Sequence, residues 1–262
     1  MGKVVSIANQ KGGVGKTTTS VNLATVLALK GKKVLMIDAD PQGNATSGLG
    51  SNKEQELSTY DLLIDDEVKA EDIIVKSQVK RLDLIPSNIN LAGAEIQLTA
   101  LISREYRMKN KIDEVKDNYD FIIIDCPPSL GLITLNALTA SDSILIPVQC
   151  EYFALEGLGE LIKTINIVKM STNKSLTIEG ALLTMYDART NLSNQVVTEV
   201  TKYFGTKVYK SVIPRNVKLS EAPSYGVPIT LYDPRSKGAK SYEKFAKEFI
   251  VNNRIDVKQE SK

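Results

Sequence analysis

The chain has 262 residues, 42% of them hydrophobic and 24% charged, with a formal net charge of +2. These values fit a globular chain with a sizeable core, organised as one large or two small domains. Histidine is absent, which excludes Ser-His and Cys-His catalysis and the usual zinc-hydrolase sites. Any chemistry must therefore run on carboxylates, lysines, hydroxyls, backbone amides and a bound metal.

The N-terminus enters a strand pattern at once, without the apolar core or cleavage site of a signal peptide, and no run of 18 apolar residues follows. A cytoplasmic protein is expected. The first predicted strand, Val4–Ala8, leads into a glycine-rich segment and a helix over Thr17–Lys30, with Gly31 as its C-terminal cap. Further strands are predicted at Val34–Ile37, Leu82–Ile85, Phe121–Ile124, Ser143–Pro147, Ile178–Thr184 and Lys207–Val212. Between and after them the spacing predicts helices over Leu91–Lys116, Leu132–Thr139, Leu155–Met170, Leu192–Tyr203 and Ala239–Val251. The strands are continuously apolar, as in a parallel sheet covered on both faces. The alternation reads as an α/β fold with a doubly wound, mainly parallel sheet flanked by helices and right-handed crossovers. One domain over residues 1–250 is expected, with a polar tail over 251–262 that frays. Cys126 and Cys150 end apolar runs and read as buried thiols rather than a disulfide.

The segment Lys11-Gly12-Gly13-Val14-Gly15-Lys16-Thr17-Thr18 sits between a strand and a helix, the context a phosphate-binding P-loop requires. Glycines let backbone N–H groups converge on phosphates, and the helix N-terminus adds partial positive charge. Lys16 supplies a charge to the β- and γ-phosphates of ATP, and the Thr17 hydroxyl is a Mg²⁺ ligand candidate. Gln10 stands where the standard motif has its first glycine, and Lys11 is an added lysine. A loop already holding Lys16 gains little from a second lysine in the same site. Lys11 is instead placed to reach across a dimer interface to the other subunit's nucleotide.

Asp38 and Asp40 follow one apolar strand, and Asp125 follows another in the manner of a Walker B strand. Ligands of open parallel sheets sit beyond the C-terminal strand ends, where all three acids could converge beside the P-loop. Asp38 and Asp125 suit Mg²⁺ contacts, and Asp40 is the candidate to orient the attacking water, since no histidine or obvious glutamate competes. The alternative for each is a turn aspartate capping the next element.

Lys11–Thr18, Asp38-Ala39-Asp40-Pro41-Gln42-Gly43-Asn44 and Asp125-Cys126-Pro127-Pro128-Ser129 resemble the three blocks of the ParA/MinD family of deviant Walker A ATPases, and similarity to its Soj-type members runs nearly end to end. It includes Leu91-Ala92-Gly93-Ala94-Glu95, Pro147-Val148-Gln149-Cys150-Glu151, the run Leu182–Thr190 and Ile213-Pro214-Arg215-Asn216-Val217. The resemblance implies an ATP-sandwich dimer with Lys11 on the other subunit's nucleotide, Lys16, Thr17 and Mg²⁺ on the phosphates, and Asp40 near the attacking water. It also implies adenine-side contacts at Pro214 and Asn216. Such dimers bind DNA without sequence preference and are reset when a ParB-type partner stimulates hydrolysis, which places the protein on the nucleoid.

From Tyr186 to Ile250 the chain carries 11 Lys/Arg against 6 Asp/Glu, a basic balance on an otherwise near-neutral protein. The resemblance gives these charges a DNA role, with Arg189 and Lys218 as first candidates and Arg215, Lys237 and Lys240 behind them. An N-terminal DNA-reading extension of the plasmid kind is not expected. The C-terminal residues are too sparsely apolar for a firm MinD-like membrane helix, so no membrane partner is expected. A MinD-like positioning ATPase remains the alternative. A cluster-bearing redox protein and a regulator holding ATP only structurally stand further off.

Overall fold

The computed structural model describes residues 2–151 and 158–253. One eight-stranded sheet organises them: β1 (Lys3–Ile7), β2 (Val34–Asp38), β3 (Val75–Lys76), β4 (Leu82–Ile85), β5 (Phe121–Asp125), β6 (Ser143–Gln149), β7 (Thr177–Tyr186) and β8 (Val208–Pro214). Their spatial order is β3-β4-β2-β5-β1-β6-β7-β8. Every pairing is parallel except that of the edge strand β3 with β4.

Alternate residues of the central strands enter two separate cores. In β1, Val4 joins one and Val5 and Ile7 the other; in β2, Leu35 and Ile37 part from Val34 and Met36; in β5, Ile122 and Ile124 part from Phe121 and Ile123. Because successive side chains point to opposite faces, a strand covered on both sides must be apolar throughout. The second core is covered by α1 (Lys16–Leu29) and the C-terminal helix; the first lies under helices from the middle of the chain.

In chain order after α1, these helices are α2 (Asn44–Gly48), α3 (Thr59–Ile64), α4 (Ala70–Ile73), α5 (Leu91–Gln97), α6 (Arg107–Val115), α7 (Leu132–Ala140), α8 (Leu158–Ser171), α9 (Asn191–Phe204), α10 (Val217–Glu221), α11 (Ile229–Tyr232) and α12 (Lys237–Asn252). The first three residues of the helix predicted from Leu155 lie outside the described residues. So does the predicted tail from 254 onward, whereas Val251 and Asn252 belong to α12.

The sequence reading differs from the fold chiefly in one place. The predicted helix Leu91–Lys116 is two helices, α5 and α6, separated by a 3-10 turn and a reversal in which Ser103 adopts φ 53. The apolar spacing runs through the break, with Leu91, Ala94 and Leu98 before it and Met108, Ile112 and Val115 after it, all in one core. What restarts the helix is distant: the Asn136 side chain on α7 accepts the Met108 N–H at 3.1 Å. Elements α2 to α4 and β3 are short and carry no period long enough to read.

Helix α12 is held by an aromatic stack on the sheet, with ring centroids of Phe121 and Phe249 5.4 Å apart and those of Tyr209 and Phe245 4.8 Å apart. Each such side chain contributes about 1.5–3 kcal/mol by leaving water. At the α12 C-terminus the Glu179 carboxylate gathers Lys3 at 2.6 Å, Ser143 at 2.8 Å, Tyr209 at 3.0 Å and Asn253 at 2.9 Å. Burial pushes this carboxyl up, but Lys3 and the hydrogen bonds outweigh it and leave it below its ordinary range.

Candidate nucleotide site

Strand β1 lies between β5 and β6, and its C-terminal end is where the strand order diverges, the place an open α/β sheet offers to a ligand. From there the chain turns through Gly13 at φ 74 and Gly15 at φ 87 into α1. Both are left-handed conformations that cost an ordinary residue about 1–2 kcal/mol. Gly15 occupies the N-cap position of α1 and offers no side-chain cap, so the first N–H groups of the helix remain for an anion.

The loop is tied down from three sides. Asn9 donates its side-chain amide to Pro147 O at 2.8 Å and accepts the Lys11 N–H at 3.0 Å. The Thr184 hydroxyl, from β7, donates to Val14 O at 2.8 Å. Lys16 is buried, and its ammonium donates to Lys11 O at 3.1 Å. Burial lowers the Lys16 pKa against the opposing pull of Asp125. A buried, undercompensated cation of this kind is suited to a polyanion. Gly12 lies exposed at the loop tip with no atom within 4 Å of where a Cβ would stand.

The carboxylates converge as the sequence expects. Asp38 and Asp125 are register partners across β2 and β5, both fully buried. Burial raises the pKa of each, and each raises or is raised further by neighbouring carboxylates. Their hydrogen bonding differs. Asp38 Oδ2 accepts the Thr46 N–H and hydroxyl, both at 2.7 Å, and Oδ1 accepts the Asp40 N–H at 3.2 Å. Asp125 Oδ1 accepts the Ser20 hydroxyl at 2.8 Å, and the nearby Thr17 hydroxyl, with Ser20, partly offsets the upward shift of its pKa. Its Oδ2 is buried without a partner. An orphaned carboxylate oxygen beside a threonine hydroxyl and a phosphate loop fits Mg²⁺, which binds through one or two carboxylates plus phosphate oxygens and water. No group of three His, Cys, Asp or Glu among the described residues could hold a metal by itself. Asp125 is thus the more available acid, and Asp38 is largely committed to Thr46. Asp40 is 8% exposed, with Oδ1 accepting the Gln42 N–H at 2.9 Å.

Two clefts run along α1 and share Thr18, Leu219 and Pro223. One, of about 430 Å³, is lined by Gly15, Thr18, Met185, Pro214 and Asn216 among others, so Pro214 and Asn216 share a cleft with the end of the P-loop. Asn216 also caps α10, accepting the Lys218 N–H at 2.9 Å, and Met185 holds a left-handed φ of 51. The other cleft, of about 400 Å³, is lined by Thr17, Thr18, Asn44 and Ser47 among others.

The two DNA candidates follow the C-terminal ends of β7 and β8, on the same end of the sheet as the P-loop. Each carries an ion pair: Arg189 grips both oxygens of Asp187 at 2.9 and 2.7 Å, and Lys218 meets Glu221 at 2.9 Å and lies 5.5 Å from the Tyr232 ring centroid. Arg215 pairs with Glu151 at 2.7 Å. Cys126 and Cys150 are buried free thiols, both pushed up to about 12 by burial. Neither is at a surface where a shared cluster could form, which weighs against the redox reading.

Sequence reasoning missed Asn9, Ser20, Thr46, Ser87 and Thr184. Ser20 lies one turn after Lys16 on α1, a spacing that could have drawn attention to it. The others have short polar side chains that reach partners placed beside them by the fold: Asn9 meets Pro147, Thr184 meets Val14, and Ser87 meets Asp40 and Thr46.

A family model described as an AAA domain matches residues 2–178. The chain is 63% identical to the sporulation initiation inhibitor protein Soj of Bacillus subtilis, over 96% of this chain and 100% of that protein. It is 51% identical to the chromosome-partitioning ATPase Soj of Treponema pallidum, over 97% and 99% of the two chains. A cobyrinic acid a,c-diamide synthase from Mycobacterium smegmatis, solved with bound ADP and magnesium, matches with a TM-score of 0.83 at 38% identity over 94% of this chain and 93% of that one. The septum site-determining protein MinD of Pyrococcus horikoshii, complexed with Mg-ADP, matches with a TM-score of 0.79 at 28% identity over 98% and 100%.

A parallel sheet whose central strand feeds a lysine-bearing glycine loop, with a Walker B acid on the next strand, makes this a P-loop ATPase. Its second loop lysine and its relatives narrow the class, and the chain belongs to the Soj/ParA family of chromosome-partitioning ATPases.

Proposed function

We propose that the chain is a DNA-segregation ATPase whose nucleotide state sets its dimerisation and thereby its hold on DNA. ATP would lie with its phosphates on residues 11–18 and its base toward Pro214 and Asn216; Thr17 and Asp125, with Asp38 behind them, would hold a Mg²⁺ that supplies charge neutralisation at the phosphates. Asp40 orients the attacking water, and Lys16 steadies the charge on the transferred phosphoryl group. Two copies close over two nucleotides, each giving Lys11 to the other's site. The dimer presents two sets of Arg189 and Lys218 to phosphates, so dimerisation multiplies weak, salt-sensitive contacts into DNA binding. A ParB-type partner stimulates hydrolysis and resets the cycle. Residues 1–250 act as one domain.

The observation that carries this reading is Lys11. Its ammonium has no acceptor among the described residues, while Lys16 already occupies the loop's interior. Light scattering with ATP and with ADP tests it: the wild type dimerises with ATP, and Lys11→Ala stays monomeric while still binding nucleotide. An ATP-dependent dimer of normal strength in that variant refutes the cross-subunit role. Among the described residues no helix is long and apolar enough to cross a membrane. ATP-dependent pelleting with anionic vesicles, and none with random duplex DNA, would favour a MinD-like activity instead.

A further inference from the structure

Ser87 follows β4, is fully buried, and occupies a position no nucleotide-site motif reaches. Each of its polar atoms is engaged with the loop that follows β2. Its N–H donates to Thr46 Oγ1 at 2.9 Å, and that hydroxyl donates onward to Asp38 Oδ2 at 2.7 Å. Its own hydroxyl donates to Asp40 O at 2.8 Å. Its carbonyl oxygen packs against Gly43, where an added Cβ would come within 2.8 Å of it.

The loop it holds is a tight turn. Asp40 O also accepts the Gly43 N–H at 2.9 Å, and Gly43 adopts φ 58. The Asp40 carbonyl therefore receives two donors, one from inside the turn and one from Ser87. The carboxylate of the same residue reaches only as far as the Gln42 N–H. The backbone of residue 40 is thus fixed by the residue that follows β4, while its buried carboxylate keeps one local bond.

We infer that Ser87 is a positioning residue for ATP hydrolysis: its buried hydroxyl fixes the turn that carries Asp40, and so sets where that carboxylate stands relative to the attacking water. The inference rests on the proposed role of Asp40. Ser87 is fully buried behind the turn and acts through the backbone of residue 40. Displacing a reacting group by about 1 Å costs on the order of a hundredfold in rate, and loss of one of two restraints gives a smaller displacement. Ser87→Ala is therefore expected to lower kcat on the order of tenfold, with KM for ATP within about twofold, the pattern of an interaction used in the transition state alone.

The test is single-turnover and steady-state hydrolysis by Ser87→Ala, Ser87→Thr and the Asp40→Ala and Asp40→Ala/Ser87→Ala pair, with ATP-dependent dimerisation as the folding control. Ser87→Thr keeps the hydroxyl and restores the rate; should it not fold, Ser87→Cys, a weak donor, is expected between wild type and Ser87→Ala. In the Asp40→Ala background, removing the Ser87 hydroxyl costs nothing more, because there is no carboxylate left to position. A normal kcat for Ser87→Ala beside an inactive Asp40→Ala overturns the inference alone. So does an equal loss in both backgrounds, or a loss confined to KM. Normal hydrolysis by Asp40→Ala overturns the reading beneath it as well.

Discussion

Gly12 and Gly13 are neighbours in the phosphate loop and separate two reasons for a glycine. At Gly12 φ lies outside the left-handed region and an added Cβ meets nothing within 4 Å. Replacement by alanine costs the fold nothing there and restricts the unfolded chain, a gain of about 0.4–1 kcal/mol. For a chain of this size that raises Tm by roughly 1–4 °C. At Gly13 space is equally open, but φ is 74, so alanine costs about 1–2 kcal/mol of backbone strain. The ligand reverses the comparison. In the proposed complex the methyl group that Gly12→Ala adds stands where phosphate oxygens approach the loop, and displacing one hydrogen bond to a charged group costs about 1.5–3 kcal/mol, or roughly ten- to a hundredfold in affinity. Thermal unfolding without nucleotide, followed by titration with a fluorescent ATP analogue, measures both quantities. A Gly12→Ala protein with undiminished nucleotide affinity refutes the placement of phosphate at this loop tip. One with a lowered nucleotide-free Tm refutes the reading of its backbone.

Asp40→Ala is expected to bind ATP and dimerise while hydrolysis falls at least a hundredfold, measured by phosphate release; turnover near the wild-type rate removes Asp40 from the mechanism. Arg189→Glu is expected to lose most DNA affinity in a salt series while keeping ATP binding, and Asp187→Asn, which frees Arg189 from its ion pair, is expected to strengthen DNA binding. Unchanged affinity in both variants would take the patch away from Arg189. For Glu179 the folded carboxyl titrates below its ordinary range, so its contribution to stability is complete above that range and is lost as pH falls through the folded value. Glu179→Gln is expected to lower stability near neutral pH by about 1–3 kcal/mol, with the gap to wild type closing in acid, as followed by denaturant unfolding at several pH values. A gap that widens toward acid would reverse the sign of the argument.

The sequence by itself determined the class of fold and the chemistry of the cleft, for a local reason. Buried parallel strands must be apolar at every position, so β1, β2 and β5 are visible as runs, and Asp38 and Asp125 stand out because acids end those runs. A phosphate loop is contiguous, and its glycines and lysines are read without knowing what surrounds them. The break between α5 and α6 was illegible because the amphipathic spacing continues through it, and what restarts the helix is Asn136, remote in sequence. Only the tertiary structure decided which acid keeps an unpartnered oxygen, since Asp38 is claimed by Thr46 while Asp125 Oδ2 is left without a donor. Only it brought Ser87 to Asp40 and Thr184 to Val14, contacts between short hydroxyl side chains and backbone carbonyls that leave no pattern in the chain. A motif names the groups that meet the ligand; the hydrogen bonds that hold those groups still come from wherever the sheet order happens to place a hydroxyl.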